Sequence, residues 1–274
     1  MSGSITLENR FGVNKMELIS LKYAIFVIVL LVLYYCFPKK YRWYVLLAGS
    51  MAYYVIICKW YVLFIIFTIC TTYGSTIWID KLLKKQNAIV KSHKEDWDRQ
   101  TRKDYKEKGR KKRVAVMLFA LLCNFGILAF LKYIPYAGEL GLLLPLGISF
   151  YTFQSMGYVM DVYREIVEPE KNFLKVALFV SFFPQIIQGP IAIYDKLAGQ
   201  LYEGHSLRLE NLQKGALLVL WGVMKKLVIA DRAVNIINFV MDKPMDFSGT
   251  YVFFAAVVYA LQLYADFSGG IDIV

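Results

Sequence analysis

Apolar residues are gathered into long runs along this chain, and charged residues fall mainly between the runs. Windows with at most one charge cover residues 18–37, 43–58, 60–79, 114–131, 140–160, 173–193 and 250–265. Most of them approach the roughly 17–25 residues that a helix needs to cross a bilayer. The window 213–229 is a weaker candidate, because Lys225 and Lys226 interrupt it. The pattern predicts an all-α polytopic membrane protein with seven or eight membrane segments in a single domain over residues 1–274.

Composition supports the membrane interpretation. Hydrophobic residues make up 58% of the chain and the mean hydropathy is +0.46, whereas a soluble domain has about 45–50% apolar residues. The four cysteines are scattered through apolar windows without a C-x-x-C pair: Cys36, Cys58, Cys70 and Cys123. They are typical of small packing residues rather than of a disulfide framework. We therefore expect neither a metal site nor a bound cofactor.

The distribution of charge predicts the orientation in the membrane. Residues 81–113 carry fourteen Lys and Arg against five Asp and Glu, a net of +9 in a chain whose net charge is +11. Basic segments between spans lie on the cytoplasmic side far more often than they bind nucleic acid. We expect 81–113 to form a basic cytoplasmic loop beside membrane lipid, the N-terminus to lie outside the cell membrane, and no nucleic-acid partner.

Two apolar windows contain prolines and glutamines that hydrocarbon cannot satisfy. Proline removes a backbone donor, so broken helix is tolerated in a bilayer only where protein or a wet cavity surrounds it. Tyr151 and Gln154 are three residues apart and share one helix face. If that face meets Gln185, Gln188 and Pro190, the sequence predicts an uncharged cavity suited to a neutral ester or thioester. Equally, the glutamines could simply bridge backbone groups that the prolines leave unpaired.

Asp266 is a further candidate, because it closes an otherwise uncharged window. An ionisable residue near membrane depth is costly and by default marks a functional site. The alternative is that Asp266 lies at the interface and caps a following helix together with Ser268.

Five stretches in one order resemble the membrane-bound O-acyltransferases, and within them the branch of alginate O-acetylation proteins. They are PLGISFYTFQ at 145–154, DVYR at 161–164, SFFPQIIQGPI at 181–191, WGVMKKLVIADR at 221–232 and LQLYADFSGGID at 261–272. The resemblance covers residues 145–274, while the first 144 residues match only in hydropathy pattern. It implies a helical bundle with broken or re-entrant helices.

The resemblance also implies an activity. Such an enzyme moves an acyl group, acetyl in this branch, from a cytoplasmic thioester donor such as acetyl-CoA or an acyl carrier to a hydroxyl of an exported polysaccharide. A separate extracytoplasmic acetyltransferase can complete the step. Tyr151, Gln154, Gln185, Gln188, Pro190 and Asp266 are the tunnel residues that we carry forward. The alternatives are D-alanyl transfer to teichoic acid within the same family, and a transporter with Pro-broken helices.

The family's presumed base is a histidine that follows the DFSG-like motif. The chain has two histidines, His93 and His205, and both precede that motif. No catalytic residue is therefore carried over. We expect residues 271–274 to open another apolar segment, and the chain to be the front part of a longer enzyme that is inactive alone. The alternative is a short paralogue that uses His205, with Ser206 and Asp195 as loosely spaced triad partners.

Overall fold

The computed structural model describes residues 20–93, 95–133 and 145–274, and every regular element within these ranges is helical. In chain order the α-helices are α1 (Leu21–Cys36), α2 (Arg42–Cys58), α3 (Val62–Ser92), α4 (Arg99–Tyr133), α5 (Ile148–Tyr163), α6 (Phe173–Ser181), α7 (Phe183–Gln188), α8 (Tyr194–Tyr202), α9 (Leu209–Met224), α10 (Asp231–Met241) and α11 (Gly249–Ile273). Short 3₁₀ turns lie at Lys39–Tyr41, Lys59–Tyr61 and Pro244–Asp246, and a π-helical turn, Lys225–Ala230, joins α9 to α10. The predicted all-α membrane fold is confirmed.

Three helical stretches of the described residues are long and apolar enough to cross a membrane. They are Lys39–Ser92, which contains α2 and α3, Arg99–Tyr133 and Gly249–Ile273. Leu21–Cys36 and Phe173–Gln188 are apolar but shorter. Large side chains such as Phe119 and Leu122 are 66% and 72% exposed, as expected of a surface that faces lipid. The protein is a membrane protein, and the other predicted spans remain predictions.

The basic segment is built mainly from two helices. Helix α3 continues beyond its apolar part to Ser92, and α4 begins at Arg99. The connection between them is therefore short, and the two helices pack against each other. Most of the positive charge of residues 81–113 lies on these helical extensions rather than on an extended loop.

The window 173–193 is not one helix. Helix α6 ends at Ser181, Phe182 has φ −58° and ψ 105°, and α7 runs only from Phe183 to Gln188. Residues 189–193 are not helical. In the window 140–160, the described part begins with a turn at Pro145, and α5 starts at Ile148. Residues 140–144 of that window lie outside the described residues.

The described residues form two compact units. Unit 1 consists of the described parts of Phe37–Ile186 together with Ile191–Gly204. Unit 2 consists of the described residues 20–36 with Ile187–Pro190 and His205–Val274.

In unit 1, α3 packs against α4 and α5, and α2 packs against α6. A stripe of small hydroxyl residues lies buried along α3: Thr68, Thr72, Ser75 and Thr76. Ser75 and Thr76 donate back to carbonyls of their own helix, as Thr76 Oγ1 does to Thr72 O at 2.9 Å. Asn124 Nδ2 of α4 donates to Thr71 Oγ1 at 2.9 Å. Small polar residues thus let two helices approach closely and bond across an apolar interface.

In unit 2, two glycines bring α9 and α11 into backbone contact. A Cβ atom added to Gly222 would lie 2.5 Å from Gly269 O, and one added to Gly269 would lie 2.8 Å from Gly222 O. Both distances are far below van der Waals contact, so only glycine fits at these positions. The expectation that residues 271–274 open a new segment is wrong, because α11 continues without a break from Gly249 to Ile273.

Candidate functional site

The break between α6 and α7 is bridged by side chains from elsewhere in unit 1. In a regular helix the Phe183 N–H would donate to Phe179 O. Here Phe183 N donates to Ser50 Oγ at 3.3 Å, and Phe179 O accepts from Gln154 Nε2 at 2.8 Å. Pro184 follows and has no N–H to offer to Val180 O. Gln154 is buried, at 4% exposure, and its amide nitrogen supports the broken backbone.

Tyr151 and Gln185 are buried without full hydrogen bonding. Tyr151 is 1% exposed, and its ring meets that of Tyr54 edge-on with centroids 6.3 Å apart. Neither tyrosine hydroxyl makes a hydrogen bond of good geometry among the described residues, although the two hydroxyls interact electrostatically with each other. Gln185 Oε1 is also without a hydrogen-bond partner there. A buried polar atom left unpaired costs about 1–3 kcal/mol. These atoms, together with Ser181 Oγ at the end of α6, therefore have bonding capacity left for a polar ligand.

Gln188 and Asp266 are brought together in unit 2. Gln188 Nε2 donates to Asp266 O at 3.3 Å, and a Cβ atom added to Gly270 would overlap the Gln188 amide. Gln188 thus packs on the backbone of α11, while its neighbour Pro190 is exposed, two residues beyond the end of α7. Asp266 lies inside α11, seven residues before the helix ends. The alternative in which Asp266 caps a following helix is wrong, because the helix does not stop at the DFSGG motif.

The Asp266 side chain belongs to a cluster of opposite charges. Lys226 Nζ lies 2.5 Å from Asp266 Oδ1 and 3.9 Å from Asp231 Oδ1. Lys225 Nζ contacts Asp272 Oδ2 and donates to Ser268 Oγ at 2.7 Å. Both lysines lie in the π-helical turn, and π-helical turns occur frequently at functional sites. We call these six side chains the charge cluster: Lys225, Lys226, Asp231, Asp266, Ser268 and Asp272.

The sequence prediction included Asp266 but missed the rest of the charge cluster. A signal was present, because two lysines interrupt one apolar window and two aspartates lie near the end of another. Charges in apolar segments usually pair with one another. When each apolar window is considered alone, the lysines of one window are not matched with the aspartates of the other.

The residues predicted to line one cavity are divided between the two units. Gln154 and Gln185 lie in unit 1, whereas Gln188 and Pro190 lie in unit 2, so a single cavity lined by all four remains a prediction. Within the described residues, no group of three or more His, Cys, Asp or Glu side chains could hold a metal ion.

Curated proteins with related sequences are named as O-acetyltransferases. The peptidoglycan O-acetyltransferase of Helicobacter pylori is 31% identical over 57% of this chain and 37% of its own length. The protein named "Probable alginate O-acetylase AlgI" of Pseudomonas syringae is 36% identical over 47% of this chain and 25% of its own length. That of Azotobacter vinelandii is 33% identical over 57% of this chain and 29% of its own.

The matched region spans between a quarter and three-eighths of the length of these relatives. No family profile matches the chain, and no solved structure matches it. The resemblance seen in the five motifs is nevertheless confirmed by these relatives. Over about half of its length, the chain is homologous to the polysaccharide O-acetyltransferases of the membrane-bound O-acyltransferase family.

Proposed function

We propose that this chain contributes to a membrane enzyme that transfers an acetyl group to a hydroxyl of an exported cell-surface polysaccharide. The observation that carries the proposal is the similarity to alginate and peptidoglycan O-acetyltransferases over about half of the chain. The all-helical membrane fold with a broken α6–α7 segment is compatible with it. D-alanyl transfer and transport are the competing functions, and no described contact favours either of them.

In the proposed reaction the donor is a cytoplasmic acyl thioester, acetyl-CoA or an acyl carrier. The acceptor oxygen attacks the thioester carbonyl, the carbon–sulfur bond breaks, and the acceptor proton passes to a general base as the thiol leaves. We assign no residue of this chain as that base. A separate extracytoplasmic acetyltransferase as a partner would fit the same chemistry.

The buried residues divide into two roles in this proposal. Tyr151 and Gln185 keep unpaired polar atoms and are the candidates to contact a neutral ester or thioester. Gln154 and Gln188 use their amide nitrogens on backbone carbonyls and are framework residues. The charge cluster around Asp266 holds α11 against the π-helical turn. Pro190 lies in the non-helical residues that follow α7.

The function is tested in the source cell. Deleting the gene should lower the acetate that mild base releases from the surface polysaccharide, and a plasmid-borne copy of the gene should restore it. A Tyr151→Phe variant should restore less than the wild type, provided that its level in the membrane is equal. Unchanged acetate with altered D-alanine release would identify the D-alanyl alternative, and unchanged levels of both would contradict acyl transfer.

Residues 1–274 alone should be inactive. The purified chain, supplied with acetyl thioester and polysaccharide, should show no transfer above background, because neither histidine follows the DFSG-like motif, where the family resemblance places the base. His93 Nδ1 lies within hydrogen-bonding distance of its own helix, at Ile89 O. Transfer that His205→Ala abolishes would instead assign the chemistry to His205.

The orientation is tested by cysteine labelling. In a variant without the four natural cysteines, Ser92→Cys should be protected from an impermeant thiol reagent in intact cells, and Ser2→Cys should react. Permeabilised cells provide the control, in which both positions should react. Labelling of Ser92→Cys in intact cells would place the end of α3 outside and contradict the positive-inside argument.

A further inference from the structure

The helical extensions of α3 and α4 enclose a pocket of about 440 Å³ in unit 1. Its wall on α4 is formed by Lys103, Lys106, Glu107, Arg110 and Arg113, its wall on α3 by Leu83, Gln86 and Asn87, and Glu165 completes it after α5. We propose that this pocket binds a phosphate group, carried either by a soluble phosphoester or by a lipid headgroup.

The charges lining the pocket leave an excess of unpaired cations. Glu165 Oε1 accepts from Arg113 Nη1 at 2.7 Å, so these two charges offset each other. Glu107 is paired with Lys111, a residue outside the pocket, at 3.5 Å. None of the described residues forms an ion pair with Lys103, Lys106 or Arg110. Three cationic side chains that line one concave surface favour an anion, and Arg in particular matches the geometry of phosphate oxygens.

Arg113 adds an observation that does not depend on surface charge. It is 7% exposed, and its Nε–H has no hydrogen-bond partner among the described residues. Gln86 is similarly buried at 6% exposure, but its unpaired Oε1 is an acceptor and does not itself favour an anion. A buried guanidinium donor left unpaired is costly, whereas a bound anion or the water that accompanies it would accept from it.

The backbone around the pocket is shaped to keep these side chains in place. Gln86 packs directly on Gly109, where a Cβ atom would overlap its amide oxygen. Glu165 adopts φ 63°, the left-handed position that closes α5 and that glycine normally occupies. A glutamate at this position carries a conformational cost, and its carboxylate is the partner of Arg113.

The basic segment as a whole could instead be only a solvated topological anchor. The pocket allows the two interpretations to be distinguished. An anchor depends only on the total charge of the segment, whereas a binding site depends on which basic side chains line the pocket. The pair Lys106 and Arg110 lines the pocket, whereas Lys108 and Lys112 are equally exposed and equally spaced on α4 but do not line it. Replacing either pair by glutamine removes the same charge.

Binding is measured by calorimetry on residues 1–274 in maltoside micelles, which contain no phosphate. The probes are inorganic phosphate, coenzyme A with pantetheine as its phosphate-free control, and short-chain phosphatidylglycerol with diacylglycerol as its control. The double variant Lys106→Gln/Arg110→Gln should weaken binding of the phosphate-bearing probes at least about tenfold. The double variant Lys108→Gln/Lys112→Gln should change it less than about twofold, since it contacts no ligand.

Tighter binding of coenzyme A than of the lipid would identify a soluble phosphoester, and the reverse would identify a headgroup. Equal weakening by both double variants would overturn the site in favour of a general field, as would the absence of binding by all three phosphate-bearing probes. The outcome is independent of the proposed acetyl transfer, because no turnover is measured.

Discussion

The ion pair between Lys225 and Asp272 gives the sharpest test of how unit 2 is held together. Lys225 is 14% exposed and Asp272 is 20% exposed, so the pair lies between the buried and the surface limits. Breaking a fully buried pair costs about 3–5 kcal/mol, and breaking a surface pair about 0–1 kcal/mol. Lys225→Met also removes the donor to Ser268 Oγ. We therefore expect a loss of about 2–3 kcal/mol in the local stability of α11.

Helix α9, which precedes the π-helical turn, offers a control ion pair at the surface. Lys214 pairs with Glu210 at 2.7 Å on α9, and both side chains are more than 70% exposed. Lys214→Met should cost only about 0.3–0.5 kcal/mol. In the double variant Lys225→Met/Asp272→Asn the uncompensated carboxylate is gone, so about 1–2 kcal/mol should be regained relative to Lys225→Met.

The measurement is amide hydrogen exchange of α11 peptides in micelles, which reports the free energy of local opening. A loss of about 2–3 kcal/mol corresponds to exchange about 30 to 150 times faster, because 1.36 kcal/mol is a factor of ten. Lys214→Met should accelerate exchange less than about threefold. If Lys225→Met and Lys214→Met accelerate α11 equally, the charge cluster does not hold α11 and the reasoning is refuted.

Two further predictions concern the glycine contact and the broken helix. Gly222→Ala should destabilise unit 2 by about 1–3 kcal/mol, because the added Cβ meets the backbone of α11. Gly215→Ala has open space around it and should raise helix stability by up to about 1 kcal/mol. Thermal unfolding in micelles compares the two variants, and equal melting temperatures would contradict the close approach. Gln154→Leu should cost about 1–3 kcal/mol because Phe179 O loses its donor, and urea unfolding would show no change if water replaces the amide.

The positions of several helices follow from hydropathy alone. The predicted window 43–58 is nearly identical to α2, because an uninterrupted apolar run ends where the chain turns at Lys59 with φ 50°. The prolines in the window 173–193 also indicated that its helix would be broken. They could not show that Ser50 and Gln154 would bond the ends of the break, because these residues are distant in sequence.

The end of α11 illustrates why the contacts between helices of unit 2 could not be predicted from the sequence. A run of Asp266, Ser268, Gly269 and Gly270 after an apolar window has the composition of a helix terminus. In the folded unit, Gly269 meets Gly222 and Gly270 meets Gln188, so both glycines serve close approach while the helix continues. Whether glycine stops a helix or lets another chain segment approach depends on tertiary neighbours, which local sequence does not reveal.

The contacts of the charge cluster depend on the number of residues in the π-helical turn. Loss of one residue within Lys225–Ala230 would allow α9 and α10 to run on as one regular helix, in which each residue turns the chain by about 100°. Since α9 and α10 both pack on α11, that rotation could not leave both contacts in register. A single deletion would therefore displace either α9 or α10 from α11, and with it either the two lysines or Asp231 of the charge cluster.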